Sequence, residues 1–132
     1  MPFIEVAHTA DWCLRVWSVD LPSLFAEAAR GMYALAGVEI ASQPVQEKEF
    51  STEGADTESL LVAFLSNLVY LMEYERMAFD QFSVQLKSDQ VSARMKGASI
   101  QSITKAIKAV TFHNLKILQS DRGYEVEIVF DV

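Results

Sequence analysis

The chain has 132 residues, of which 51% are hydrophobic, so it suits one domain with one core and not a disordered chain. Its formal net charge is −7, with eleven basic residues against eighteen acidic ones. A protein that binds RNA by itself needs a basic face to contact the phosphates. The excess of acidic residues therefore predicts little or no direct nucleic-acid binding, and it favours a protein partner or a bound cation.

The sequence also indicates where the protein works. The longest uninterrupted apolar run, Leu60–Leu65, is far shorter than the roughly 20 residues of a membrane-spanning helix. The first residues lack the basic start and apolar stretch of a secretory signal. Cys13 is the only cysteine, so no intrachain disulfide can form. We therefore expect a cytoplasmic protein that does not enter a membrane.

Two short strands are predicted first, at residues 3–8 and 13–19. The polar stretch His8-Thr9-Ala10-Asp11 between them is typical of a turn. An aspartate in a tight turn usually hydrogen-bonds its own backbone, which is the simpler interpretation of Asp11. A metal or phosphate contact is the alternative.

The apolar spacing then predicts two helices. The first covers residues 21–36, with Asp20 as its N-cap, Pro22 in the first turn and Gly37 as its C-cap. The second follows a cap at Asp56 or Thr57 and is apolar on several sides, so it is either deeply buried or partly held against a partner. It permits a dimer without requiring one. Its main apolar face carries Leu61, Phe64, Leu65, Leu68, Leu71 and Met72.

Further strands are predicted from alternating apolar residues. Residues 45–53 form one strand, and a hairpin places Phe82, Val84 and Leu86 opposite Val91, Ala93 and Met95. A second hairpin pairs residues 115–120 with 123–131 around the turn Asp121-Arg122-Gly123.

Short turns between consecutive strands imply antiparallel pairing. The predicted fold is therefore α+β, a two-layer sandwich of a largely antiparallel or mixed β-sheet with two helices. No linker or repeat divides the sequence, so residues 1–132 are predicted to form a single domain.

The sequence carries no local catalytic motif. Its five glycines lack the spacing of a phosphate-binding loop, and one cysteine with two histidines is too few for a cysteine-based zinc site. Taken alone, Lys108 is a solvated surface charge, His113 a structural histidine and Cys13 a small buried apolar residue. Glu125 and Glu127 lie on the face of the last strand that is predicted to be exposed to solvent.

Adjacent carboxylates at the end of the sequence are more informative. The Asp131 side chain and the terminal carboxylate of Val132 either lie on a frayed, solvated strand end or are held together. A held pair requires a proton or a cation, and Ca²⁺, Mg²⁺ and Mn²⁺ all take such oxygen ligands. Nothing in the local sequence places Asp11 beside Asp131.

Three blocks together resemble the archease family. They are His8-Thr9-Ala10-Asp11, Lys108-Ala109-Val110-Thr111-Phe112-His113 and Phe130-Asp131-Val132. They occur in the family's order and spacing, so the resemblance spans the whole chain. The sequence departs from the family pattern at Phe112, where tyrosine is usual, and at Asn114, where glycine is usual.

The resemblance implies a site and a function. Archeases bind a divalent cation, Ca²⁺ in the first instance with Mg²⁺ or Mn²⁺ as alternatives, through positions that match Asp11, Asp131 and the Val132 carboxylate. The position matching Lys108 is also required, and His8 and His113 are expected beside these groups. The implied activity is to promote guanylylation and multiple turnover of an RtcB-type RNA ligase, which joins RNA ends in tRNA splicing. The chain itself is then not an enzyme.

Two alternatives use the same residues differently. A metal-dependent hydrolase would use the carboxylates to hold a water-activating ion, with His8 as its candidate general base. A chaperone-like binding module would use the metal only to fasten the two ends of the chain together.

Overall fold

The computed structural model describes residues 2–6 and 12–132, and two helices and nine strands lie within these ranges. The elements in chain order are β1 (Phe3–Val6), β2 (Trp12–Ser18), α1 (Leu21–Ala36), β3 (Glu39–Ile40), β4 (Gln46–Glu53), α2 (Thr57–Tyr74), β5 (Met77–Lys87), β6 (Gln90–Ser102), β7 (Ala109–Val110), β8 (Leu118–Ser120) and β9 (Gly123–Asp131).

Local capping explains both helix starts and the end of α1. Asp20 accepts a hydrogen bond from the backbone N–H of Ser23 at 2.8 Å, and this bond lowers the pKa of Asp20. Gly37 ends α1 in the left-handed conformation, with φ 66°. For α2 the structure selects Asp56 as the cap, because its side chain accepts from the Ser59 N–H at 2.8 Å. The predicted helix caps are confirmed.

The strands form two antiparallel sheets. In the first sheet β1, β2, β9 and β7 lie in that order, and β8 also pairs with β9. In the second sheet β6 is central, with β3 and β4 on one side and β5 on the other. The predicted α+β class and antiparallel pairing are confirmed. Each helix contacts strands of both sheets, so the helices join the two sheets around one core.

The core is centred on Phe64 of α2, which is fully buried. Its ring lies 5.6 Å from that of Phe25, 5.9 Å from that of Phe50 and 6.4 Å from that of Phe82, measured between centroids. These partners come from α1, β4 and β5, so one aromatic group joins both helices to the second sheet. The strongly apolar sequence of α2 is thus explained by burial on most of its sides.

The β5–β6 hairpin is longer than its alternating pattern predicted. The prediction covered residues 82–86 and 91–95, whereas the strands are Met77–Lys87 and Gln90–Ser102. A β-bulge at Asp80 shifts the register between Phe79 and Gln81, which breaks the alternation on which the prediction depended. An added Cβ at Gly97, opposite Phe79, would lie 2.0 Å from the Ala78 carbonyl oxygen, so the two strands approach closely there.

Other strand boundaries also differ from the prediction. The strand predicted from residue 115 begins at Leu118, because the Ile117 N–H bonds to Glu58 Oε2 of α2 at 3.0 Å. The two-residue strands β3 and β7 were not predicted, since they are too short to show a period. The first strand is seen at Phe3–Val6, and residues 7 and 8 of its predicted range lie outside the described residues.

Candidate functional site

The end of β9 is paired on both sides. Trp12 of β2 lies opposite Phe130, and Val110 of β7 lies opposite the same residue. Phe130 is fully buried, and Asp131 still pairs with Ala109. The strand therefore remains held by its neighbours up to Asp131, which argues against a frayed end.

The central sequence block meets this end of the sheet through Lys108. Its backbone N–H donates to the carbonyl oxygen of Asp131 at 2.8 Å. The side chains of Lys108 and Asp131 are both exposed, while Val132 is partly buried and packs against the core. The structure thus brings together Lys108, Asp131 and Val132, three of the predicted site residues.

The rest of the central block continues along β9. The backbone N–H and the hydroxyl of Thr111 both donate to the Val129 carbonyl oxygen at 3.0 Å. Thr111 Oγ1 in turn accepts from the His113 N–H at 3.3 Å, and the His113 ring lies 3.3 Å from the Asn114 amide nitrogen. His113 is exposed, and its hydrogen bonds agree with its interpretation as a structural histidine.

Lys105 is a further cation at this end of the molecule. Its ammonium nitrogen lies 5.3 Å from the centroid of the Trp12 ring, within the range of a cation–π contact. The N–H groups of Thr104 and Lys105 both bond to the Ala36 carbonyl oxygen, at 2.9 and 3.0 Å, which ties this loop to the end of α1. Nothing in the local sequence distinguishes Lys105, because its contact depends on distant segments meeting.

Two predicted site residues, His8 and Asp11, lie outside the described residues. Asp11 is bonded directly to Trp12, whose partner Phe130 precedes Asp131. Over residues 2–6 and 12–132, no group of three or more His, Cys, Asp or Glu side chains could hold a metal ion. The described residues therefore supply the Asp131 carboxylate and its surroundings, and the predicted ligand set remains a prediction.

The outward face of the first sheet is polar in one part. Arg15 and Glu127 form an exposed ion pair at 2.8 Å, and the hydrogen bond that Arg15 donates to the Glu127 carboxylate raises the pKa of the Arg15 guanidinium. Glu125 and Glu127 are exposed, as predicted. Cys13 is 3% exposed, and burial raises the pKa of its thiol. Its interpretation as a small buried residue is confirmed.

Another part of that face is apolar. Ile4, Trp17 and Val19 are 47%, 39% and 76% exposed, and they line a cleft of about 450 Å³ together with Arg122 and Glu125. Scattered exposed apolar residues are ordinary, but a contiguous group of them often marks a binding surface. Across the described part of the chain, no helix is long and apolar enough to cross a membrane.

Sequence comparison finds relatives along the whole chain. The family model described as the Archease protein family (MTH1598/TM1083) matches residues 3–132. The protein archease of Methanopyrus kandleri is 30% identical over 140 residues, covering 100% of both chains. The protein archease of Archaeoglobus fulgidus is 28% identical over 138 residues, again covering 100% of both.

Two solved structures share the fold. The solution structure of Methanobacterium thermoautotrophicum protein 1598 superposes with a TM-score of 0.73 at 23% identity, covering 99% of each chain. The crystal structure of a Thermotoga maritima protein, described as an archease and possible chaperone, gives a TM-score of 0.73 at 20% identity, covering 96% of this chain and 94% of that one.

Proposed function

This chain belongs to the archease family, and from that premise we propose that it activates an RtcB-type RNA ligase of the kind used in tRNA splicing. In this proposal it promotes guanylylation of the ligase and sustains multiple turnover. It joins no RNA by itself and acts in the cytoplasm. The ligase is its partner, and the carboxylate end of the first sheet is the surface that acts on the ligase.

The convergence of distant sequence blocks supports this proposal most directly. Lys108 and Asp131 share a 2.8 Å backbone hydrogen bond, and Trp12 pairs with the residue before Asp131. Trp12, which follows Asp11 in the sequence, therefore lies at this end of the sheet. The second and third blocks, and the residue that follows the first block, thus meet in one small region.

We propose that Asp11, Asp131 and the Val132 carboxylate hold a divalent cation, with Ca²⁺ first and Mg²⁺ or Mn²⁺ as alternatives. An all-oxygen donor set suits hard cations, and the exposed Asp131 carboxylate is accessible to one. When bound, the cation neutralises the carboxylates and offers a positive centre to phosphate. His8 and His113 are proposed to lie beside these groups.

The charges of the chain fit an acidic activator. With a net charge of −7, it would be attracted to a basic or metal-bearing face of the ligase. Lys105 and the exposed Lys108 add positive charge at this end of the molecule, and Lys108 can contact a nucleotide phosphate there.

The proposal is tested by measuring ligase–GMP formation under multiple turnover, with the ligase of the same organism. We expect stimulation by the wild type and a loss of about tenfold or more in Asp131→Asn and Lys108→Met. Asp121→Asn and Lys116→Met are matched controls, because both residues are exposed in the first-sheet region and should keep full stimulation. A wild type that fails to stimulate with Mg²⁺, Mn²⁺ or Ca²⁺ would contradict the proposal.

A chaperone-like function is the second candidate, favoured by the exposed group of Ile4, Trp17 and Val19. It predicts that the protein slows the aggregation of a heated test enzyme. Trp17→Ser should abolish that effect while Asp131→Asn keeps it, the reverse of the pattern expected for ligase activation.

A further inference from the structure

We propose that the groove between α1 and the free edge of β5 binds an extended segment of a partner protein, which adds a strand to the second sheet. In this mode of recognition, backbone hydrogen bonds along the edge provide affinity and pockets for alternate side chains provide specificity. The groove belongs to the second sheet, so the inference does not depend on the carboxylate end of the first sheet.

The first support is that the β5 edge is open. Among the described strands β5 pairs with β6 alone. Edge strands usually carry charges that prevent pairing with another chain. The opposite edge, β4, carries four charged residues in eight, whereas β5 has none from Gln81 to Leu86. β5 carries its charges at the bulged Asp80 and at Lys87, so the uncharged stretch between them is the part of the edge left able to pair.

The second support is a groove with two cavities, one on each side of Arg30. One, of about 310 Å³, lies between α1 residues that include Ser23, Ala26 and Glu27 and β5 residues Phe82 and Val84. The other, of about 250 Å³, lies between Tyr33 and Ala34 of α1 and Phe79 and Asp80 of β5, with Val38 and Ile40 at its side. Alternate side chains of an added strand would enter these two spaces.

The third support is an unsatisfied polar atom in the wall of the smaller cavity. The Tyr33 hydroxyl is buried and has no hydrogen-bond partner within the described residues. Burial raises the pKa of Tyr33, and the nearby Phe79 backbone lowers it by less. Buried polar groups normally have partners, so this hydroxyl marks an incompletely satisfied contact between α1 and β5 beside the cavity.

Charge decides the chemistry of the segment. Arg30 is already engaged, because it lies 2.5 Å from Glu27 and stacks 5.3 Å from the centroid of Phe82. Asp80 at the bulge takes part in no ion pair with any described residue, and it is exposed. The segment is therefore one with alternating apolar residues and a basic residue placed to meet Asp80.

A second copy of this chain fits the edge less well. If two β5 strands paired, both α1 helices would lie beside the junction between the strands. A helix is about 10 Å across, so each copy would have to accommodate that width. Cavities of about 250 and 310 Å³ admit side chains, not a helix. Each copy also carries a net charge of −7, which opposes their association.

The probe for this site is a fluorescent peptide that alternates valine and threonine and carries one terminal arginine. We expect saturable binding by fluorescence anisotropy and slower amide hydrogen exchange in residues 81–86. A matched peptide with glutamate in place of arginine should bind about tenfold more weakly. No binding up to about 1 mM, or protection confined to the first sheet, would overturn the proposal.

Two variants sharpen the test. Asp80→Lys should reverse the preference between the two peptides, whereas the same charge change at Asp121, in an exposed turn of the first sheet, should not. Ala34→Trp, at an exposed position of α1, should fill the smaller cavity and weaken both peptides, with the exposed Ala55→Trp as control. Melting curves verify that each variant folds.

An Asp80→Lys variant that folds and binds both peptides like the wild type would overturn the proposed contact. Sedimentation of the wild type without peptide completes the experiment. A dimer with β5 amides already protected would assign the edge to a second copy and overturn the partner segment.

Discussion

The backbone N–H of Lys108 donates to the carbonyl oxygen of Asp131 at 2.8 Å, although both side chains are exposed. The bond fixes the path of the chain before β7 against the end of β9. The backbone of Lys108 thus holds the sheet end, whereas the role in ligase activation that we propose belongs to its exposed side chain.

Different substitutions at Lys108 should separate these roles. Lys108→Ala keeps the N–H, so its free energy of unfolding should lie within about 0.5 kcal/mol of wild type while ligase stimulation is lost. Lys108→Pro removes the donor and should cost about 1 kcal/mol or more. Urea unfolding measures both. Equal stability of the two variants would show that the bond contributes little.

The helix caps predict a particular dependence of stability on pH. Hydrogen bonds from Ser23 and Ser59 lower the pKa values of Asp20 and Asp56 in the folded protein below the usual 3.8. The stabilisation is therefore present in full above the unfolded pKa and is lost as the pH falls through the folded values.

Melting temperatures measured between neutral pH and pH 3 would check this dependence. Asp20→Asn can still cap α1 but does not titrate, so it should lose less stability on acidification than wild type. Asp20→Ala should melt a few degrees lower at neutral pH. If acidification lowered the melting temperature of Asp20→Asn as much as that of the wild type, the titration of Asp20 would not contribute to the pH dependence of stability.

Removing the central ring of the core should be severe. Phe64→Ala deletes a fully buried side chain that contacts Phe25, Phe50 and Phe82, and it should cost about 3–5 kcal/mol. Val19→Ala, at a residue 76% exposed, should cost less than about 0.5 kcal/mol. Chemical denaturation compares the two, and similar losses would mean that the aromatic group is not the centre of stability.

Gly97 should tolerate no side chain. A Cβ there would lie 2.0 Å from the Ala78 carbonyl oxygen, and backbone atoms cannot move aside as a flexible side chain can. Gly97→Ala should therefore cost about 1–3 kcal/mol and disturb the β5–β6 pairing. At Gly54 the nearest atoms are 3.1 Å away, so Gly54→Ala is the milder comparison. Amide exchange across β5 and β6 would locate the damage.

The parts of the fold predicted well from sequence are those with local causes. The bounds of α1 follow from Asp20 and Gly37, which act within one helical turn. The extent of β5 could not be predicted, because the bulge at Asp80 changes the alternation and is stabilised by the neighbouring strand.

The candidate site shows the same division. The three blocks were found from their residue types, but the meeting of the second and third depends on Val110 pairing with Phe130, while Trp12 pairs with Phe130 from the opposite side. Such pairings join segments far apart in the sequence and leave no local signal. The ligand roles of Asp11, Asp131 and Val132 stay predictions, as do those proposed for His8 and His113.

The pairing of β2 with β9 also governs how the protein is completed during translation. β2 is made early, yet β9, which pairs with it, is made only after the other described strands. At about 5–20 residues per second, the nascent chain waits on the order of ten seconds with one edge of β2 unpaired. Chains released before β9 is made would therefore be prone to misassociation, and synthesis through β9 is a condition for completing the first sheet.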